Sequence, residues 1–153
     1  MYDSILKFIR PIALPLVSSA VLAAAPLLVA QTAATCSVTV KVTGIRNTDG
    51  NISVALRSAP ETIVQHKVVE IDPATMSAAA TFDGMARGTY DIAVIHDENK
   101  NGKLDFNEMG MPLEGYGHSN NPAKRPGPPS FEETKFTIDK PAASIEVTLI
   151  YWP

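Results

Sequence analysis

Apolar and polar side chains alternate with a period of two over most of the chain beyond residue 35. Cys36, Val38, Val40 and Val42 alternate with Ser37, Thr39, Lys41 and Thr43, which is the pattern of a half-buried strand. Asn47-Thr48-Asp49-Gly50-Asn51 supplies turn chemistry, and Ile52, Val54 and Leu56 follow, so the first two strands are predicted to form a hairpin. Residues 58–66 carry Ser58 with Glu61 three residues on, which predicts one helical turn. Two further strands are expected at 67–71 and 77–82, with a turn over 83–88. Residues 89–96 form the clearest strand. Tyr90, Ile92, Val94 and His96 lie on one face and Ala93 and Ile95 on the other, so this strand is expected to be central and covered on both sides. Alternation returns at 135–139 and at 144–152. About seven strands without a long helix predict an all-β fold, an antiparallel β-sandwich.

Two segments break the alternation. In residues 109–131, nine of 23 positions are Gly or Pro, so no regular element is expected there. Long irregular loops in compact domains are usually functional or disordered. Tyr116 and Phe131 with Asn120, Asn121, Lys124 and Arg125 would give such a loop contacts for an unidentified protein or small-molecule ligand. The alternative is that it wraps the sandwich and blocks edge-to-edge aggregation.

The second break is the first 34 residues. Lys7 and Arg10 precede an apolar run from Ile12 to Ala30, and Thr32-Ala33-Ala34 follows, the order of a secretory signal peptide. The run is long enough to span a bilayer as an anchor, but Pro11, Pro15 and Pro26 oppose a continuous helix. Lipoprotein processing at Cys36 would want a Leu that Ala33-Ala34-Thr35 lacks. The expectation is a leader at 1–34, a domain at 35–153, a periplasmic or secreted location and no membrane span after cleavage.

Composition narrows the function classes. Removing Asp3, Lys7 and Arg10 from 13 basic and 16 acidic residues leaves 11 against 15, a net charge of −4. Lys124-Arg125 is the one adjacent basic pair, so no nucleic-acid partner is expected. One domain fits the length, and a monomer is expected. Cys36 is the single cysteine, so no internal disulfide forms, and its register makes it a small core residue.

Asp97-Glu98-Asn99-Lys100-Asn101-Gly102-Lys103-Leu104-Asp105-Phe106-Asn107-Glu108 is a full twelve-residue calcium loop. Asp97, Asn99, Asn101 and Asp105 place oxygens at positions 1, 3, 5 and 9. Gly102 stands at the sharp turn, Lys103 offers its backbone carbonyl, and Glu108 can close the shell with two oxygens. The competing reading is a solvated Asn-Gly turn. The flanks are a strand and a Gly/Pro-rich stretch, so an EF-hand-like loop on a strand end is expected, holding Ca2+ weakly. Leu104 would pin it to apolar surface. Glu98 is exposed by parity and is not counted as a ligand.

Other chemistry has less support. His66, His96 and His118, with Glu114, would have to converge through the fold to hold a transition metal. Gly117-His118-Ser119-Asn120 lacks the spacing of a nucleophile elbow, and Cys36 has no basic neighbour to activate it. Glu132-Glu133 reads as a solvated strand edge. No catalytic residue and no organic cofactor are expected. A metal-dependent or hydrolytic envelope enzyme is the alternative, as is a purely structural envelope protein.

Gly88-Thr89-Tyr90-Asp91, the loop, Glu114-Gly115-Tyr116-Gly117-His118-Ser119-Asn120-Asn121 and Gly127-Pro128-Pro129-Ser130-Phe131-Glu132 together resemble the exported bacterial proteins grouped as DUF2141. The likeness runs from Ser37 to Trp152. It implies a transthyretin-like or immunoglobulin-like sandwich and no catalytic residues. His118 departs from the family pattern, in which an aromatic such as Phe is more usual.

Overall fold

β1 (Cys36–Thr43) buries Cys36, Val38, Val40 and Val42 and turns the residues between them outward. The same alternation builds the other elements of the computed structural model, which describes residues 35–125 and 127–153. The expected leader at 1–34 lies outside the described residues. In chain order the elements are β2 (Asn51–Ala59), β3 (Thr62–Val69), β4 (Ala78–Met85), β5 (Gly88–Asp97), β6 (Gly115–His118), α1 (Phe131–Thr134), β7 (Phe136–Ile138) and β8 (Ala142–Thr148).

Two sheets face one another. One has the order β4-β1-β8 and the other β3-β2-β5-β6, with β7 also paired to β5. Val38, Val40, Val42, Phe82 and Val147 from the first meet Ile52, Val54, Leu56, Ile92 and Val94 from the second, all essentially inaccessible to water. Burying each such side chain stabilises the fold by about 1.5–3 kcal/mol. The sandwich, its core and the central position of β5 match the sequence expectation.

Five features differ from it. β1 and β2 do not form a hairpin: β1 pairs with β4 and β8, while β2 pairs with β3 and β5. The intervening segment buries Ile45 and so carries the chain across the sandwich edge from one sheet to the other. The pairing of β1 with β8 is parallel, so the fold is not wholly antiparallel. The helical turn expected at 58–66 is instead a β2–β3 hairpin, with Arg57 Nη1 donating to the Pro60 carbonyl at 3.2 Å across its turn. There the β-branched Thr62, Ile63 and Val64 favour extended backbone. Glu132 and Glu133 sit in α1, where Glu133 Oε2 accepts the Ser130 N–H at 2.9 Å.

The fifth difference lies in the segment expected to be irregular. β6 forms there and pairs with β5 through Ala93↔His118 and Ile95↔Tyr116. Glycine composition concealed it, and the packing explains the glycine: a Cβ on Gly115 would stand 2.3 Å from the Tyr151 ring. The strand can close the sheet only where that side chain is missing.

On the outer face of the second sheet, two register rows run Ser53–Ile95–Tyr116 and Ala55–Ala93–His118. The loop leaving β5 returns to β6 beside this face.

Candidate metal-binding loop

Asp97 ends β5, buried to 3% exposure. Its Oδ1 accepts the Asn101 N–H at 2.9 Å and its Oδ2 the Gly102 N–H at 2.7 Å. Asn99 Oδ1 accepts the Asn101 N–H at 3.0 Å, and Asn101 Oδ1 accepts the Lys103 N–H at 3.0 Å. The side-chain amides of Asn99 and Asn101 both donate to Asp105 Oδ2, at 2.6 and 2.8 Å. Four of the six residues named from sequence are thus tied into one knot, and the backbone of Lys103 joins it. Gly102 takes φ of +80° at the turn, as the loop pattern requires.

Glu108 stands apart. It is exposed, and none of the other five residues hydrogen-bonds to it. After Asp105 the chain enters a bridge between Phe106 and Pro112, and Asn107 Oδ1 caps the intervening turn by accepting the Met109 and Met111 N–H groups. No helix follows the loop to carry position 12 back over it. Among the described residues, no three His, Cys, Asp or Glu side chains are grouped as a metal cluster.

The carboxylate that does reach the loop is Glu114, which sequence reasoning considered only beside the histidines. It is 5% exposed; Oε1 accepts the Glu98 N–H at 2.9 Å and Oε2 the Asp105 N–H at 3.1 Å. Its signal in the sequence is faint: one acid among Gly, Pro and apolar residues.

Glu98 also has a place in the structure, though not as a ligand. Arg46 Nε and Nη2 contact its Oε1 at 2.8 and 2.7 Å, and Asn47 Nδ2 donates to its Oε2 at 3.3 Å. Burial works against ionisation of Glu98, but these hydrogen bonds outweigh it and hold its carboxyl below the usual range. Arg46 is raised in turn, chiefly by Glu98, and stacks 4.6 Å over the Tyr151 ring. Gly50, at φ +73°, lies so close to the loop's root that a Cβ would sit 1.9 Å from the Asp97 carbonyl oxygen.

His96 belongs to this support. The Asp49 carbonyl can only accept, so His96 Nε2 donates to it, at 2.7 Å, while Nδ1 pairs with the Tyr151 hydroxyl at 2.8 Å. Neither nitrogen is left for a metal. His66 lies on the outer face, bonded to Ser53 Oγ at 2.8 Å. Its register row is His66–Ala55–Ala93–His118; three strand spacings set His66 and His118 roughly 14 Å apart. The three histidines and Glu114 do not form one donor set.

Past β6 the polar side chains fasten the chain to itself. Ser119 Oγ, fully buried, donates to the Thr134 carbonyl at 2.6 Å and accepts the Ile92 N–H at 2.9 Å. Asn120 donates to the Lys135 carbonyl at 2.8 Å, and Asn121 Oδ1 accepts the Thr148 N–H at 2.8 Å. Lys124 reaches the Tyr151 carbonyl at 2.7 Å, and Arg125 meets Glu133 at 2.7 and 2.6 Å. The side chains expected to contact a ligand at 120–125 therefore hold the strap after β6 (residues 119–125 and 127–135) against the sandwich.

A family model described as an uncharacterized protein conserved in bacteria (DUF2141) matches residues 40–146. No curated protein matches the chain.

Proposed function

The chain belongs to the DUF2141 family of bacterial proteins, and on that premise we propose that it is an exported β-sandwich whose 97–108 loop binds calcium as a clasp. The observation that carries this reading is the knot itself. Asp97, Asn99, Asn101 and Asp105 converge through short hydrogen bonds, and the Lys103 carbonyl lies on the same turn. The donors are all oxygen, which suits a hard cation such as Ca2+ better than zinc or copper. The Asn99 and Asn101 side-chain amides both donate to Asp105 Oδ2 and so hold its carboxylate toward the turn. Glu108 has to swing in to complete the shell, a cost that fits the weak range of extracellular calcium modules, about 10⁻⁴–10⁻³ M. The leader pattern at 1–34 supports export, where millimolar calcium is available.

The clasp is a stiffener. Its root is braced by Arg46, Asn47 and Glu114, and its far end continues into the wall beside β6. At about 1 mM calcium and a dissociation constant of about 0.1 mM, binding adds roughly 1.4 kcal/mol, or about 5 °C in melting temperature for a domain of this size. Calorimetry and thermal melts of the mature domain with calcium or chelator test it. Asp97→Ala and the milder Asp105→Asn should each abolish the calcium-dependent rise, and Glu108→Ala should weaken it several-fold. A rise that persists in all three variants would refute the site.

A further inference from the structure

The outer face of the second sheet holds a groove of about 430 Å³ that the clasp does not account for. Its floor is Ala93 on β5, flanked by Ile95. Its walls are Phe106, Met109 and Met111 on one side and Tyr116 with Trp152 on another. Phe106 and Met109 are 55% and 83% exposed, large apolar side chains left in water at the groove's rim. A volume of this size lies within the range of small-molecule sites, about 300–1,000 Å³.

The polar groups define what could sit there. Trp152 Nε1 donates to the Tyr116 hydroxyl oxygen at 2.9 Å, so the Tyr116 proton remains free to donate to a ligand oxygen. Arg125 lines the groove, but both its Nη atoms are taken by Glu133 at 2.7 and 2.6 Å, so its charge is already matched. Lys124 does not line the groove; it stands 4.3 Å over the Trp152 ring and donates to the Tyr151 carbonyl. His118 closes the inner end against Tyr116, ring centroids 6.4 Å apart at 71°. Burial, with Arg57 adding to it and Asp91 opposing, pushes its pKa down to about 4, so it meets a ligand uncharged at neutral pH. The groove thus offers aromatic and thioether surface, one free hydroxyl proton and no unmatched charge.

We propose that this groove binds a flat, uncharged aromatic molecule carrying a hydrogen-bond-accepting oxygen, seated on Ala93 between Trp152 and the Phe106–Met111 wall. Aromatic rings favour offset or edge contacts with Trp, Tyr and Phe, and methionine adapts to irregular ring outlines. The ligand oxygen accepts from Tyr116. This gives content to the ligand-binding reading of the sandwich but does not require the metal: Phe106 belongs to the 97–108 loop, but the floor at Ala93, the donor Tyr116 and the opposite wall at Trp152 lie outside it.

Trp152 is the only tryptophan, which makes the test direct. Titrating the mature domain with 6-propionyl-2-dimethylaminonaphthalene, an uncharged naphthalene ketone, should quench Trp152 fluorescence saturably with energy transfer to the probe. Ala93→Phe fills the floor and should weaken binding at least tenfold, and Tyr116→Phe should weaken it three- to tenfold by removing the donated proton. Circular dichroism confirms that each variant is folded; should Ala93→Phe not fold, Met111→Ala, with an expected three- to tenfold loss, replaces it. Naphthalene-2-carboxylate and (2-naphthylmethyl)ammonium should bind at least tenfold more weakly than the ketone. No saturable quenching, equal affinity in the folded variants, or equal affinity for the charged probes overturns the proposal. Ketone binding retained in chelator supports the groove even where the calcium site fails, and a calcium-dependent melting rise without ketone binding refutes the groove alone.

Discussion

Glu114 lies sixteen residues beyond Glu98 in the chain, and its Oε1 accepts the Glu98 backbone N–H at 2.9 Å. Its second oxygen accepts the Asp105 N–H at 3.1 Å, so one buried carboxylate ties the two ends of the 97–105 turn to the start of β6. Removing it leaves two amides without an acceptor, each costing about 1–3 kcal/mol. Glu114→Ala should therefore destabilise the domain by about 3 kcal/mol in urea unfolding. Glu114→Gln, with one acceptor oxygen and a misplaced NH2, should cost about half as much. Hydrogen exchange at the Glu98 and Asp105 amides should quicken in both variants. Unchanged exchange at those two amides would show that the carboxylate does not organise the loop.

That link shows where sequence reading stops. The alternation of Val38, Val40 and Val42, and of Ile92 and Val94, is local, and it translates directly into buried faces. The residues of the 97–108 loop are also local, so the convergence of Asp97, Asn99, Asn101 and Asp105 was legible from spacing. Strand partners are not local. Gly50 and its neighbours have hairpin chemistry, but burial of Ile45 takes the chain to the other sheet. The parallel pairing of β8 with β1 joins segments about a hundred residues apart. β6 was hidden because Gly115 reads as a breaker, when its missing side chain is what admits the Tyr151 ring. Glu108 fitted a loop template whose last position depends on a helix that this fold does not supply.

A second buried charge fastens the strap. Asp91 is fully buried; its Oδ1 accepts from Arg57 Nε at 2.8 Å, its Oδ2 pairs with Arg57 Nη2, and Oδ2 also accepts from Thr134 Oγ1 at 2.7 Å. Breaking one side of such a pair typically costs about 3–5 kcal/mol. Arg57→Ala should be the more damaging change, because Asp91 has no access to water, whereas the Arg57 side chain is 20% exposed. Asp91→Ala should release α1 through the lost Thr134 contact and hasten proteolysis near 130–135. The paired change Arg57→Met with Asp91→Leu should recover most of the lost stability. Urea midpoints of the four proteins decide this, and equal costs for the two single alanine variants would contradict the asymmetry.

His118 makes the fold sensitive to mild acid. Its pKa is lowered to about 4 in the folded chain, first by burial and then by Arg57, whereas an unfolded histidine titrates near 6.5. Between those values the unfolded chain binds a proton that the folded one does not, so stability falls as pH drops from about 6.5 to about 4 and then levels for this group. The separation corresponds to about 3 kcal/mol at most, and the partial opening of His118 to the groove reduces the expected loss to about 2 kcal/mol. Glu98, whose carboxyl is held low, acts in a different window: its stabilisation is present above about pH 4.5 and is lost below it. His118→Phe should therefore flatten the stability profile between pH 6.5 and 4.5 while leaving the steeper loss below it. The same change removes the buried His118 Nδ1, which has no hydrogen-bond partner among the described residues, and should raise stability at pH 7 by about 1 kcal/mol. Urea unfolding at half-unit pH steps measures both effects, and an undiminished slope above pH 4.5 in the variant would assign the acid sensitivity to another group.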